Sequence, residues 1–204
     1  MATQTPARRG PKPNPATRDN LVQTGLRMIH AEGYAATGIQ SIVEGAAVPK
    51  GSFYNHFQSK EAFGAEVIDA YSGRGLARLR EYLCNPGLAP LKRLEGYFDD
   101  RIAAFRASGY IRGCLMGNFS AEAADHSDLI RARLAEQFAA WTALFEACIA
   151  EAQAQGAIGR QLSPALLGAF IFNSWEGALL RMRAEKSDAP LLDFKSAVFG
   201  KLLA

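Results

Sequence analysis

The chain has 204 residues, 49% of them hydrophobic, with 23 Lys and Arg against 20 Asp and Glu for a net charge of +3. That is enough apolar material for one large or two small packed domains, and no apolar run reaches the roughly 18 residues that a membrane span needs. No apolar stretch follows the basic residues near the start, which argues against a secretory signal. Cys84, Cys114 and Cys148 have neither metal-ligand spacing nor a disulfide framework, so a cytoplasmic protein with reduced thiols is expected.

Charge is distributed unevenly. Residues 1–60 carry seven Lys or Arg and three acids, so the excess of positive charge lies in the first third. Residues 1–16 are rich in Pro, Thr and Ala without periodicity and read as a flexible basic arm. Arg8, Arg9 and Lys12 suit either a minor-groove contact or a solubilising tail. Thr17 is then expected to cap a first helix running to about Glu32, with Leu21, Val22, Leu26, Ile29 and His30 on one face and Gly33 just past its end. A second helix starts at Thr37 or Gly38 and turns Ile39, Ile42 and Val43 inward. The turn Ala46-Ala47-Val48 leads to Pro49, which suits a helix start.

The segment Pro49 to Phe57 is the most informative in the chain. Read as a helix of about eight residues, it spans about 12 Å, close to the width of the DNA major groove. Phe53 and Phe57, four apart, face a small core, while Lys50, Gly51, Ser52, Tyr54, Asn55 and His56 remain available outside. Two short helices joined by about four residues form a helix-turn-helix. Ser59 caps a fourth helix, whose Lys60 stands beside amides able to hold a phosphate. Everything beyond residue 72 also reads helical: 90–108, 127–155, 163–185 and 191–203, with a short helix from Leu115. The expected fold is all-α, with about nine helices in a three-helix N-terminal unit and a larger C-terminal unit. The boundaries are a basic arm over 1–16, a DNA-binding unit over 17–60 and a ligand-binding and dimerisation unit over 61–204.

The segments Pro49-Lys50-Gly51-Ser52-Phe53-Tyr54 and Phe57-Gln58-Ser59-Lys60-Glu61 resemble the recognition-helix region of the TetR family of transcriptional regulators. Arg112 to Asn118 with Glu122, and Trp175-Glu176-Gly177-Ala178, resemble the subgroup of the N-ethylmaleimide-responsive and acrylate-utilisation repressors, more closely the latter. Two positions depart from the pattern: Ala47 where the family often has Gly, and Asn55 where relatives often have His. The resemblance implies a homodimer that binds a palindromic double-stranded DNA operator and is released by a small molecule. The implied inducer is acrylate, its thioester or another reactive electrophile.

On this reading the DNA contacts are Arg8, Arg9, Lys12, Thr37, Lys50, Gly51, Ser52, Tyr54, Asn55, His56 and Lys60. The implied ligand pocket takes Phe98, Phe105, Cys114, Asn118, Glu122, Trp141 and Trp175, and the interface takes Phe170, Ser174, Gly177 and Ala178, small residues beside a large one. Cys114 is the candidate sensor. Arg112 and a helix N-terminus after it would lower its pKa, whereas burial would make it an inert wall residue. No cofactor or metal is expected. The alternatives are a regulator with a non-covalent ligand of other specificity, a non-specific basic nucleic-acid binder, or an enzyme using Cys114, for which no general base stands beside the thiol in sequence.

Overall fold

The computed structural model describes residues 14–204, so the expected DNA contacts Arg8, Arg9 and Lys12 lie outside the described residues. Nine α-helices follow in order: α1 Pro15–Glu32, α2 Ile39–Gly45, α3 Lys50–Tyr54, α4 Lys60–Leu83, α5 Pro90–Ala107, α6 Leu115–Ala123, α7 Asp128–Ala154, α8 Pro164–Glu185 and α9 Ala189–Ala197. A π turn over Val198–Leu202 ends the order. Among these residues there is no strand, and no helix is long and apolar enough to cross a membrane.

The first helix starts two residues before the expected Thr17 cap. Asn14 is the cap, its Oδ1 accepting from the Ala16 amide at 3.0 Å, with Pro15 following. Asn-Pro is itself a strong start signal, because the Asn side chain satisfies an orphan amide and Pro lacks the amide that would go unpaired. The remaining caps at Ser59, Ser127 and Ser163 accept from Ala62, Ile130 and Leu166 as expected. Gly33 closes α1 at φ 96, a conformation that a side chain would strain.

The turn after α2 is a Schellman motif. The Val48 amide donates to Val43 O and the Ala47 amide to Glu44 O, both at 3.0 Å, and Ala47 sits at φ 54. Glycine usually fills that left-handed position; alanine there carries about 1 kcal/mol of backbone strain. Asn20 Nδ2 reaches across to Ala46 O at 2.8 Å and ties the turn to α1.

The small N-terminal core is aromatic. Phe53, Phe57 and Phe63 meet with ring centroids 4.9–5.3 Å apart, over Leu21, Ile29, Ile42 and Val43. Helix α4 leaves this core and continues into the second unit, where it packs on α5 and α7. A second aromatic cluster, Phe98, Phe145, Phe172, Trp175 and Phe194, fills the space between α5, α7, α8 and α9. Helices α7 and α8 approach closely because position 168 is glycine: a Cβ there would lie 3.0 Å from the Glu146 amide nitrogen.

Candidate DNA-reading face and ligand cavity

The reading segment is shorter than its periodicity suggests. Helix α3 covers only Lys50–Tyr54, about 7.5 Å of rise. The amides of His56 and Phe57 both return to Phe53 O, at 3.0 and 2.9 Å, so the chain turns to seat Phe57 in the core. Lys50, Gly51, Tyr54 and Asn55 are exposed, and Ser52 and His56 half-buried, on the side away from Phe53. Tyr54 is 55% exposed, its ring edge-on to Phe53 at 5.4 Å.

Two expected DNA contacts fall away from this face. Thr37 is fully buried and its hydroxyl donates to Gly33 O at 2.7 Å, so it fixes the α1–α2 connection instead. Lys60 is turned back, its Nζ 3.4 Å from Ala35 O and 4.5 Å above the Tyr34 ring. Burial there lowers its pKa.

The second unit holds a cavity of about 400 Å³, bounded by α1, α4, α5, α7, α8 and the turn before α6. Phe105, Cys114, Trp141 and Trp175 line it as expected, joined by Tyr71, Tyr97, Met116, Phe172 and Leu179. Gly75 makes room for the indole of Trp141, since a Cβ there would lie 2.3 Å from the ring, and Trp141 Nε1 donates to Ser72 Oγ at 2.9 Å.

Three expected pocket residues lie elsewhere. Phe98 is fully buried in the aromatic cluster. Asn118 bridges the turn to α8: its Nδ2 donates to Arg112 O at 3.1 Å and its Oδ1 accepts from Arg183 at 2.8 Å. Glu122 accepts from the Ala35 amide at 2.9 Å. The resemblance implies a pocket role for all three, but Phe98 packs in the core and the other two join helices.

Sequence reasoning missed the polar half of the cavity. Arg27 and His30 come from α1, Arg74 and Arg78 from α4, Arg101 from α5, Arg112 from the turn and Glu176 from α8. His30 reads as an inward residue of its helix and Arg112 as a neighbour of Cys114, but Arg27, Arg74, Arg78 and Arg101 read as surface within their own helices.

Cys114 sits at the N-cap of α6, and the Met116 and Gly117 amides approach its sulfur. This is the expected helix N-terminus, yet the expected low thiol pKa does not follow. Burial, and then the Glu176 carboxylate hydrogen-bonded to the thiol, push it well above the usual range. Burial likewise raises Glu176 to about 7, against the opposing hydrogen bond to Cys114. Tyr71 stands on the same cavity wall, and burial pushes the pKa of its hydroxyl up.

The same turn holds the DNA-reading unit. His30 Nε2 lies 3.0 Å from Gly113 O; a carbonyl only accepts, so Nε2 carries the hydrogen. Burial lowers the His30 pKa, and nearby Arg112 and Arg183 add to that against the bond to Gly113. With Glu122 on the Ala35 amide, α6 and its preceding turn hold both the last turn of α1 and the α1–α2 connection.

Residues 21–67 match the family described as "Bacterial regulatory proteins, tetR family", and residues 90–198 match "Tetracyclin repressor-like, C-terminal domain". The chain belongs to the TetR family of bacterial transcriptional regulators. It is 40% identical over 186 residues to the HTH-type transcriptional repressor DhaR of Mycobacterium sp. (strain GP1), covering 91% of this chain and 92% of that one. It is 33% identical over 201 residues to the transcriptional regulator AcuR of Cereibacter sphaeroides, covering 97% and 91%. Among solved structures it is similar to the regulatory protein TetR from Rhodobacter sphaeroides, with a TM-score of 0.84 at 32% identity over 92% of this chain and 99% of that one. It is also similar to E. coli NemR in its reduced form, with a TM-score of 0.83 at 28% identity over 91% and 97%. The TetR-family helix-turn-helix in this chain is therefore α2 and α3, carried on α1.

Proposed function

We propose that the chain is a cytoplasmic, homodimeric repressor that holds a palindromic operator until a small molecule enters the cavity. One observation carries the switch: the turn that lines the cavity at Arg112 and Cys114 also holds α1 through Gly113 and His30. A ligand that displaces this turn moves α1, and with it α3. Relatives named as repressors support repression over activation. They also support a regulator over an enzyme.

Lys50, Gly51, Ser52, Tyr54, Asn55 and His56 make the proposed DNA face. Asn55 suits an adenine edge, and Lys50 and Tyr54 suit phosphates. Replacing Lys50 by Ala removes one phosphate contact per protomer. The slope of log affinity against log salt then flattens by about 2 for the dimer. An unchanged slope in a filter-binding titration removes Lys50 from the interface.

The proposed dimer face runs along α8. Leu166, Phe170, Gly177 and Leu180 are exposed at helical spacing, with Phe170 53% exposed, and exposed Ala139, Ala143 and Ala150 lie along α7. Ser174 is half-buried beside this stripe. Ala178, expected in the interface, points into the protomer's own core. Pairing two copies here sets two α3 segments to meet major grooves about 34–36 Å apart or a multiple of that.

The inducers to screen are acrylate, an acryloyl thioester, N-ethylmaleimide, a quinone and hypochlorite, against the protein's own upstream DNA. Footprinting without a protected palindrome sinks the repressor reading in favour of non-specific binding. A second reading, covalent sensing, is favoured by the Glu176 carboxyl standing with Cys114 on the same stretch of cavity wall. In it the Cys114 sulfur bonds to the β-carbon of an unsaturated acyl group and the alkene pair moves onto the carbonyl as an enolate. Glu176 takes the thiol proton and returns it to the α-carbon. Cys114→Ser then abolishes electrophile-driven release from DNA; release that survives the substitution leaves a purely non-covalent pocket.

A further inference from the structure

The cavity wall is more basic than an uncharged inducer requires. Of its five arginines, two are committed to acids: Arg78 pairs with Asp100 at 2.5 Å and Glu81 at 2.8 Å, and Arg101 pairs with the same Asp100. Burial works against the Asp100 carboxylate, but hydrogen bonds from Arg78 and Arg101 outweigh it and hold the pKa down to about 2. Arg27, Arg74 and Arg112 form no ion pair with any described carboxylate, and residues 1–13 contain no acid. Among the described residues, Arg27 hydrogen-bonds only to Thr24 Oγ1, at 3.1 Å, and Arg74 only to Gln23 Oε1. All three are exposed to solvent, and unneutralised like charges around one cavity draw in an anion. The rest of the wall is mostly apolar and aromatic, with Trp141 and Trp175; His30, Cys114 and the Glu176 carboxyl are its other polar groups.

We propose that the cavity takes an amphiphilic organic anion, a carboxylate or phosphate head on an apolar body, with the head clasped by Arg27, Arg74 and Arg112. The body lies against Trp141 and Trp175. The proposal rests on the ligand-responsive reading above and names the ligand class of that cavity. Guanidinium forks bind carboxylate and phosphate oxygens in pairs, which sets both affinity and orientation. The three arginines belong to different parts: Arg27 to α1, Arg74 to α4 and Arg112 to the turn before α6. One anion therefore ties the helix that carries the DNA-reading unit to the body of the ligand unit. A ligand shifts an equilibrium only by its difference in affinity for the two states. Arg27 supplies such a difference because it travels with α1.

The test uses the full chain, whose only two tryptophans both line the cavity, so intrinsic fluorescence reports occupancy. Hexanoate, hexyl phosphate and neutral hexanamide are titrated at fixed ionic strength. At least one anion is expected to bind about tenfold or more tightly than the amide. The tighter of the two anions tells whether a carboxylic acid or a phosphate monoester is the natural head. Arg27→Ala, Arg74→Ala and Arg112→Ala should each lower anion affinity about tenfold and leave hexanamide unchanged. Hydrogen exchange should slow in α1 on anion binding in the parent chain and not in Arg27→Ala. The proposal is overturned if hexanamide binds as tightly as both anions, if neither anion binds, or if the three variants bind anions like the parent. Operator binding is measured separately without ligand: its absence sinks the repressor reading and leaves the fluorescence result standing.

Discussion

Phe53→Ala is expected to destabilise the N-terminal unit by about 3–5 kcal/mol and to abolish operator binding. Phe53 is fully buried and touches both Phe57 and Phe63, at 5.3 and 5.2 Å between ring centroids. Helix α3 has only five residues, too few to hold itself by backbone bonds. Its orientation therefore depends on this one anchored ring. A loss of that size is a large share of the roughly 5–15 kcal/mol that holds a typical domain folded. Ligand binding, followed through Trp141 and Trp175 in the other unit, should persist. Operator affinity equal to the parent's in a gel-shift assay would show that α3 is oriented by something other than this packing. Phe53→Leu should keep most of the binding, since it preserves much of the apolar volume.

The second large effect is a pH dependence set by Glu176. Burial raises its pKa in the folded chain to about 7 from the ordinary 4.5. Between those values the folded state holds a proton that the unfolded state has released. Stability is thus fully present below about pH 4.5 and is lost as pH rises through about 7, by about 3 kcal/mol in all. Glu176→Gln, which keeps the shape but cannot ionise, should remove this loss. His30 works in the opposite direction: its lowered pKa gives stability present above 6.5 and lost as pH falls through the folded value. Both chains share that contribution, so the difference between them isolates Glu176. Urea melts at pH 5 and pH 8 check it; parallel pH profiles for the two chains would falsify the buried carboxylate. The same substitution removes the proposed proton acceptor for Cys114, so it should also slow any covalent capture.

Much of the fold was legible because helices announce themselves locally. Apolar residues at i, i+3 and i+4 marked the long helices, and Ser59, Ser127 and Ser163 marked their starts. Local signals were also where errors arose. Asn14-Pro15, not Thr17, starts α1, because Asn caps an amide and Pro has none to cap. Helix α3 is three residues shorter than its spacing suggests, because the spacing that places Phe53 and Phe57 on one face is also satisfied by a short helix followed by a turn. Thr37 and Lys60 stand beside the reading segment in sequence, yet a hydrogen bond to Gly33 and a contact with Tyr34 turn them elsewhere.

By itself the sequence determined the class of the protein: an all-α chain of the TetR family with a Lys50–Phe57 segment built to present small polar groups over an aromatic anchor. These properties rest on neighbours within one or two helical turns, where spacing alone decides what shares a face. Only the tertiary structure decided what the cavity is. Arg27, Arg74, Arg112, Cys114 and Glu176 come from four elements up to 149 positions apart, and no periodicity within one helix says which faces of different helices converge. Burial, equally a property of the packed whole, reversed the expected chemistry of Cys114: the Met116 and Gly117 amides were in place to favour a thiolate, and enclosure beside Glu176 outweighed them.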